Sequence, residues 1–145
     1  MITFDELNTQ NHEITELCNV LRYLFSDRAI CDAETTNGLF FQYIDRVNQH
    51  LGIVDHLYPI LLKSSDQQAN NLAKNFMAGE QEIKKIAASY LKTWTNKKKH
   101  ELDIGGNHEQ FLRDTDTFFD IILKRIQDET EHLYPFVRRT DAGIK

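Results

Sequence analysis

Apolar residues recur at helical spacing in four long stretches of the chain. The first two stripes comprise Leu7, Ile14, Leu17, Leu21 and Leu24, then Phe40, Tyr43, Val47, His50, Ile53, Leu57 and Ile60. The last two comprise Leu72, Phe76, Ile83, Ile86, Ala87, Tyr90, Leu91 and Trp94, then Phe111, Phe118, Phe119, Ile122, Ile126, Leu133 and Phe136. Steps of three and four residues keep side chains on one face of a helix, so the pattern predicts helices at about 4–27, 35–62, 66–96 and 108–138.

Capping signals and the scarcity of breakers agree with this pattern. Thr3 and Glu6 have the spacing of a capping box, Asp66 can cap the third helix, and Asn107 can cap the fourth. The chain holds only two prolines and six glycines. Four long helices joined by modest loops predict an all-α fold, a single domain over 1–145 built as an up-down-up-down antiparallel four-helix bundle.

A five-residue motif of an acid followed by His-Leu-Tyr-Pro occurs twice. The first copy is residues 55–59, beginning at Asp55, and the second copy is residues 131–135, beginning at Glu131. The copies occupy equivalent places on the second and fourth predicted helices, so the chain looks like two helical hairpins of similar plan. Because a proline removes one helical hydrogen bond, Pro59 and Pro135 predict matched bends.

These motifs resemble those of the hemerythrin-like (HHE cation-binding) family over nearly the whole chain. "LYPIL" and "LYPFV" are similar to the closing motifs of its second and fourth helices, and "LNTQNHEITELCNVLRYL" to its first helix, where a lone histidine precedes an apolar ladder. The resemblance implies a four-helix bundle whose interior holds two irons bound by His and Glu or Asp. Known roles in the family are oxygen binding, oxygen or nitric oxide sensing, and iron–sulfur repair.

Few of the family's metal-ligand positions carry a metal-binding residue in this chain. The family's positions on the second, third and fourth helices carry Gln49, Ile53, Glu80 or Gln81, Arg125 and Glu129. Glu129 is the clean match. On the first helix His12 matches the motif, although the apolar phase suits Asn11 at least as well. The ordinary set of di-iron ligands is therefore mostly replaced.

A displaced metal site is the alternative. His132 follows Glu129 by three residues and can share its helix face, while His56 would face them from the other hairpin. With His12, these residues predict three imidazoles and one carboxylate, a set that suits iron or zinc. His50 and Glu80 are reserve ligands. If Arg125 points inward instead, its guanidinium would repel a metal and pair with Glu129 or Glu80.

Composition narrows the class of partner. The net charge of -5 argues against nucleic acid, and no apolar run is long enough to span a membrane. The acidic, polar start of the chain does not fit a secretory signal, and Cys18 and Cys31 lack metal-ligand spacing, which favours reduced thiols of a cytoplasmic protein.

Two functions remain in view. The first is a cytoplasmic non-haem metal-binding protein with an oxygen or nitric oxide sensing, binding or iron-storage role, using iron, otherwise zinc or no metal. The second is a metal-free hemerythrin-like scaffold acting as a regulatory or protein-interaction module, with a protein partner or a second copy of itself. An inward Arg125 and exposed apolar surface would favour the second. An enzyme is less favoured, since no nucleophile–base pair or phosphate loop is visible.

Overall fold

The computed structural model describes residues 3–144 and the side chains of residues 3–140, and this part of the chain is mostly helical. The helices are α1 (Phe4–Phe25), α2 (Arg28–Cys31), α3 (Glu34–Val54), α4 (Tyr58–Leu62), α5 (Gln67–Trp94), α6 (His108–Asp128) and α7 (Tyr134–Ile144). Between α6 and α7 the chain continues as a π-helix, Glu129–Leu133. The all-α class expected from the sequence is confirmed. None of the described helices has the length and apolarity needed to cross a membrane.

Helix starts follow the predicted caps in two of three cases. The Thr3 hydroxyl accepts a hydrogen bond from the Glu6 backbone N–H at 3.1 Å, and the Asp66 carboxylate accepts one from the Gln68 N–H at 2.9 Å. These bonds satisfy donors that a helix start otherwise leaves free. Asn107 stands at the start of α6, but its side chain makes no capping bond.

The second predicted helix is interrupted, which the apolar stripe did not show. α3 ends at Val54, and the N–H groups of His56 and Leu57 bond to carbonyls three residues back, so residues 55–57 form a tight turn. α4 then begins at Tyr58 with Pro59 in its first turn, where a proline costs no helical hydrogen bond.

A small antiparallel sheet joins α5 to α6, where the sequence suggested only a loop. β1 (Thr95–Asn96) pairs with β2 (Glu101–Leu102), with Thr95 opposite Leu102 and Asn96 opposite Glu101. Buried Leu102 and Ile104 attach this connection to the interior, which fixes the end of α5 relative to the start of α6.

The interior consists of two apolar clusters. The aromatic core contains the fully buried rings of Phe25, Phe40, Tyr43, Phe111, Phe118 and Phe119 and the aliphatic residues around them. The small core contains Leu7, Val54, Tyr58, Leu61, Ala69, Ala73, Leu133, Tyr134 and Val137. On each long helix, the residues between the two clusters include buried polar side chains, and these form the candidate site.

Candidate functional site

Buried polar and charged side chains separate the aromatic core from the small core. The residues are Asn11 on α1, His50 on α3, Glu80 on α5, Arg125 on α6 and Glu129 at the start of the π-helix. Glu129 is completely buried. Ionisable groups are rarely buried unless they are paired, so this layer must satisfy its own charges.

The centre of the layer is an ion pair between Arg125 and Glu129. Arg125 Nε donates to Glu129 Oε2 at 2.9 Å, and both side chains are buried. The pair spans one helical turn, the spacing at which side chains of a helix meet. The sequence-based expectation that an inward Arg125 would pair with Glu129 is therefore confirmed.

The other donors of Arg125 are also used. Its NH1 donates to the Phe76 carbonyl oxygen at 3.0 Å, and its NH2 donates to the Tyr58 hydroxyl at 2.6 Å. The guanidinium carbon lies 4.7 Å from the centre of the Phe76 ring, a cation–π contact. One cation thus connects α4, α5 and α6.

Glu129 accepts from three directions. Besides Arg125, His50 Nε2 lies 2.6 Å from Glu129 Oε1, and the Tyr134 hydroxyl donates to the same oxygen at 3.2 Å. His50 Nδ1 lies 3.3 Å from the side-chain oxygen of Gln10. Both carboxylate oxygens are therefore occupied by protein donors.

The two tyrosines of the repeated motif complete this network. Burial raises the pKa of Tyr58 and of Tyr134, and the neighbouring Glu129 charge adds to the rise in both. Each phenol therefore keeps its proton at ordinary pH. Sequence reasoning missed the hydrogen bonds of both tyrosines. The recurrence of a tyrosine at the same position of both motif copies was the sequence feature that could have indicated them.

Glu80 lies at the edge of the layer and titrates abnormally. Burial, followed by a hydrogen bond and charge repulsion from Asp55, raises its pKa to about 7, while Lys84 opposes the shift. Lys84 Nζ lies 3.4 Å from Glu80 Oε2. Among the described residues, no donor reaches the buried Oε1. A proton shared with the Asp55 carboxyl would satisfy that oxygen.

The predicted metal ligands are not brought together. The side chain of His12 is 76% exposed and that of His132 is 62% exposed, and His56 is also exposed, whereas Glu129 is buried. Within residues 3–140, no three His, Cys, Asp or Glu side chains form a group that could hold a metal ion. The displaced site of His12, His56, Glu129 and His132 therefore does not assemble in this structure.

Local backbone geometry explains the displacement. His132 would share a face with Glu129 in an α-helix, but residues 129–133 form a π-helix, in which three residues fall well short of a turn. His56 lies in the turn that ends α3, outside any helical register.

The inward positions differ by one residue from the family register on two helices. Asn11 is buried where His12 was expected, and His50 is buried where Gln49 was expected. The apolar phase of the first stripe had already favoured Asn11 equally. His50 was one of the apolar-stripe residues and a reserve ligand, so that stripe located it correctly, and the motif alignment that placed Gln49 inward was wrong.

Comparisons with protein-family models, curated proteins and solved structures returned no match to this chain. The hemerythrin-like resemblance therefore rests on its sequence motifs and stays a prediction.

The metal implied by that resemblance does not fit the residues of the polar layer. Both oxygens of Glu129 already accept hydrogen bonds, and His50 directs one ring nitrogen to Glu129 and the other to Gln10. A metal ion would also have to lie beside the permanent positive charge of Arg125. The polar layer therefore offers a metal ion neither a free ligand nor a favourable charge.

Proposed function

We propose that this chain is a hemerythrin-like four-helix bundle that works without a metal, as a regulatory or protein-interaction module. The observation that carries the proposal is the Arg125 guanidinium, buried and hydrogen-bonded through Nε, NH1 and NH2 at the place where the family register expects a ligand imidazole. A cation in that position neutralises the Glu129 carboxylate as a metal ion would, and it leaves Glu129 unavailable as a metal ligand.

Helix packing supports the proposed architecture. α1 packs on α3, α4 on α5, α5 on α6, and α1 on α6, so each long helical segment contacts the next and the last contacts the first. This cycle of neighbours is the one expected of an up-down-up-down antiparallel bundle.

The outer face of α1 supports the interaction role. Tyr23 is 79% exposed and Val20 is 42% exposed, and they lie three residues apart on the same helix face. Exposed large apolar side chains that adjoin each other favour a contact with another protein. A second copy of the chain is the simplest partner, and Tyr23→Ser should lower the molar mass measured by light scattering if that partner is used.

Metal content tests the proposal most directly. Protein purified without a histidine tag and supplied with Fe(II) or Zn²⁺ should retain far less than one metal per chain. Arg125→His should raise uptake, because it removes the cation and sets a second imidazole near His50 and Glu129. Gln49→His, on the exposed side of α3, is the matched control and should change nothing.

Stoichiometric metal in the wild type would contradict the metal-free function, most strongly if His132→Ala abolished it. In that case the sensing, binding or storage of oxygen, nitric oxide or iron would return as the leading hypothesis.

A further inference from the structure

The Arg125 side chain ends in a pocket that three helical elements build around a positive charge. The Glu129 carboxylate, the Phe76 carbonyl and the Tyr58 hydroxyl contact the guanidinium at 2.9, 3.0 and 2.6 Å. The face of the Phe76 ring covers it. A carboxylate, a carbonyl, a phenol oxygen and an aromatic face all attract cations, and all four lie outside α6, which carries Arg125.

A glycine provides the room for this arrangement. Gly79 lies in the middle of α5, where glycine is less favourable than alanine for the helix. A β-carbon at this position would lie 3.1 Å from Arg125 NH1, closer than ordinary contact. The glycine therefore lets the backbone of α5 approach the guanidinium, and no such reason applies to Gly52 in α3, where a β-carbon would meet nothing within 4 Å.

We propose that this pocket is a guanidinium-binding site that the chain fills with its own Arg125, so that a tethered organic cation occupies the place of the metal expected from the resemblance. The polar layer is then organised by a cation that cannot dissociate. The proposal rests on the proposed function in one respect: that Arg125, and not a metal ion, occupies the pocket in the native protein. Its test measures stability, so its failure is separable from a failure of the metal-free assignment.

The first experiment reverses the effect of one substitution. Gly79→Ala should lower the thermal midpoint in the wild type, because the new methyl group pushes on NH1. The same substitution in an Arg125→Met background should raise the midpoint, because the guanidinium is gone and alanine favours the helix. Gly52→Ala, the matched control, should raise it in both backgrounds. The same sign for Gly79→Ala in both backgrounds would overturn the proposal.

The second experiment supplies the cation from solution. Arg125→Ala should be stabilised by guanidinium at millimolar concentration, far below the molar range in which it denatures proteins. At ten times the dissociation constant, the ratio of folded to unfolded protein should rise about 11-fold. Arg138→Ala is the matched control, because Arg138 also stacks on an aromatic ring, that of Phe4, but its side chain is exposed.

Saturable stabilisation of Arg125→Ala alone would support the site. No stabilisation, equal stabilisation of both variants, or stabilisation by Zn²⁺ without any by guanidinium would overturn it. Should the Arg125 variants not fold, the wild-type arm still decides: a Gly79→Ala midpoint at or above that of the wild type, like the one expected of Gly52→Ala, would overturn the proposal. Stoichiometric iron in the wild type together with guanidinium rescue would refute the metal-free function and leave the guanidinium pocket standing.

Discussion

The two copies of the His-Leu-Tyr-Pro motif have nearly the same sequence and different structures. In the first copy the helix stops at Val54, turns through residues 55–57 and restarts at Tyr58. In the second copy the helix is never interrupted and widens into a π-helix at Glu129–Leu133. In a regular helix a proline ring clashes with the carbonyl four residues before it. Those carbonyls belong to Asp55 and Glu131, and each residue lies within the irregular segment of its copy.

The equivalent residues of the copies also do different work. Asp55 raises the pKa of buried Glu80, whereas Glu131 accepts a hydrogen bond from exposed Gln127 at 3.0 Å and lies 3.9 Å from exposed His132. Tyr58 accepts from Arg125, whereas Tyr134 donates to Glu129. The repeat therefore places two phenols on opposite members of one ion pair, while both of its histidines stay exposed. The similar sequences place the two motifs at equivalent positions along their helices. The contacts with neighbouring elements determine the role of each residue.

The largest effect is expected where the two copies meet, at Arg125. Arg125→Ala removes one partner of a buried pair and leaves Glu129 uncompensated, which should lower the free energy of unfolding by about 3–5 kcal/mol. Urea denaturation measures this loss. Arg138→Ala should cost no more than about 1 kcal/mol, since its side chain is exposed. Equal losses in the two variants would show that the polar layer does not hold the copies together.

Removing the tyrosine hydroxyl of each motif copy should lower the free energy of unfolding by different amounts. Tyr58→Phe leaves a buried guanidinium N–H without its 2.6 Å partner, and a hydrogen bond to a charged group contributes about 1.5–3 kcal/mol. Tyr134→Phe should cost about 1 kcal/mol, because Glu129 Oε1 keeps His50 at 2.6 Å and the lost bond is longer, at 3.2 Å. Chemical denaturation of both variants gives the comparison. A larger loss for Tyr134→Phe would reverse the assigned roles.

Much of this architecture could be predicted from the sequence, because it follows from local patterns. The apolar stripes gave the long helices and identified His50 as inward-facing, and the i,i+4 spacing gave the Arg125–Glu129 pair. The break at 55–57, the π-helix and the small sheet could not be predicted, because they depend on contacts between distant elements. The exposed positions of His56 and His132 follow from the break and the π-helix, two irregularities that a ligand set deduced from ideal helical spacing does not include.

Asp55 and Glu131, the acids that begin the two copies, should differ in their effect on the pH dependence of the free energy of unfolding. The pKa of Glu80 is raised from 4.5 to about 7, so its contribution to stability is fully present below pH 4.5 and is lost as the pH rises through 7. Asp55→Asn removes one cause of that rise and should recover about 1 kcal/mol at pH 8, since one pKa unit amounts to about 1.4 kcal/mol. Unfolding measured from pH 4.5 to 8 should become flatter in Asp55→Asn and stay unchanged in Glu131→Gln. A change in both variants, or in neither, would remove the distinction between the two acids.

The smallest effect is expected at the two histidines that make the copies look like a metal motif. His56 and the 62% exposed side chain of His132 lie outside the polar layer, so replacing either with alanine should change the free energy of unfolding by no more than about 0.5 kcal/mol. His50→Ala is the internal contrast: it deprives Glu129 of its 2.6 Å partner and should cost about 1–3 kcal/mol. Denaturation in the presence and absence of a chelator makes the test decisive. If His132→Ala is strongly destabilising, and the chelator destabilises the wild type to the same level, the imidazoles hold a metal. Metal binding would then be a property that the two copies share. If both histidine variants behave as the wild type does with and without chelator, the tyrosines of the repeated motif, and not its histidines, contribute to the polar layer.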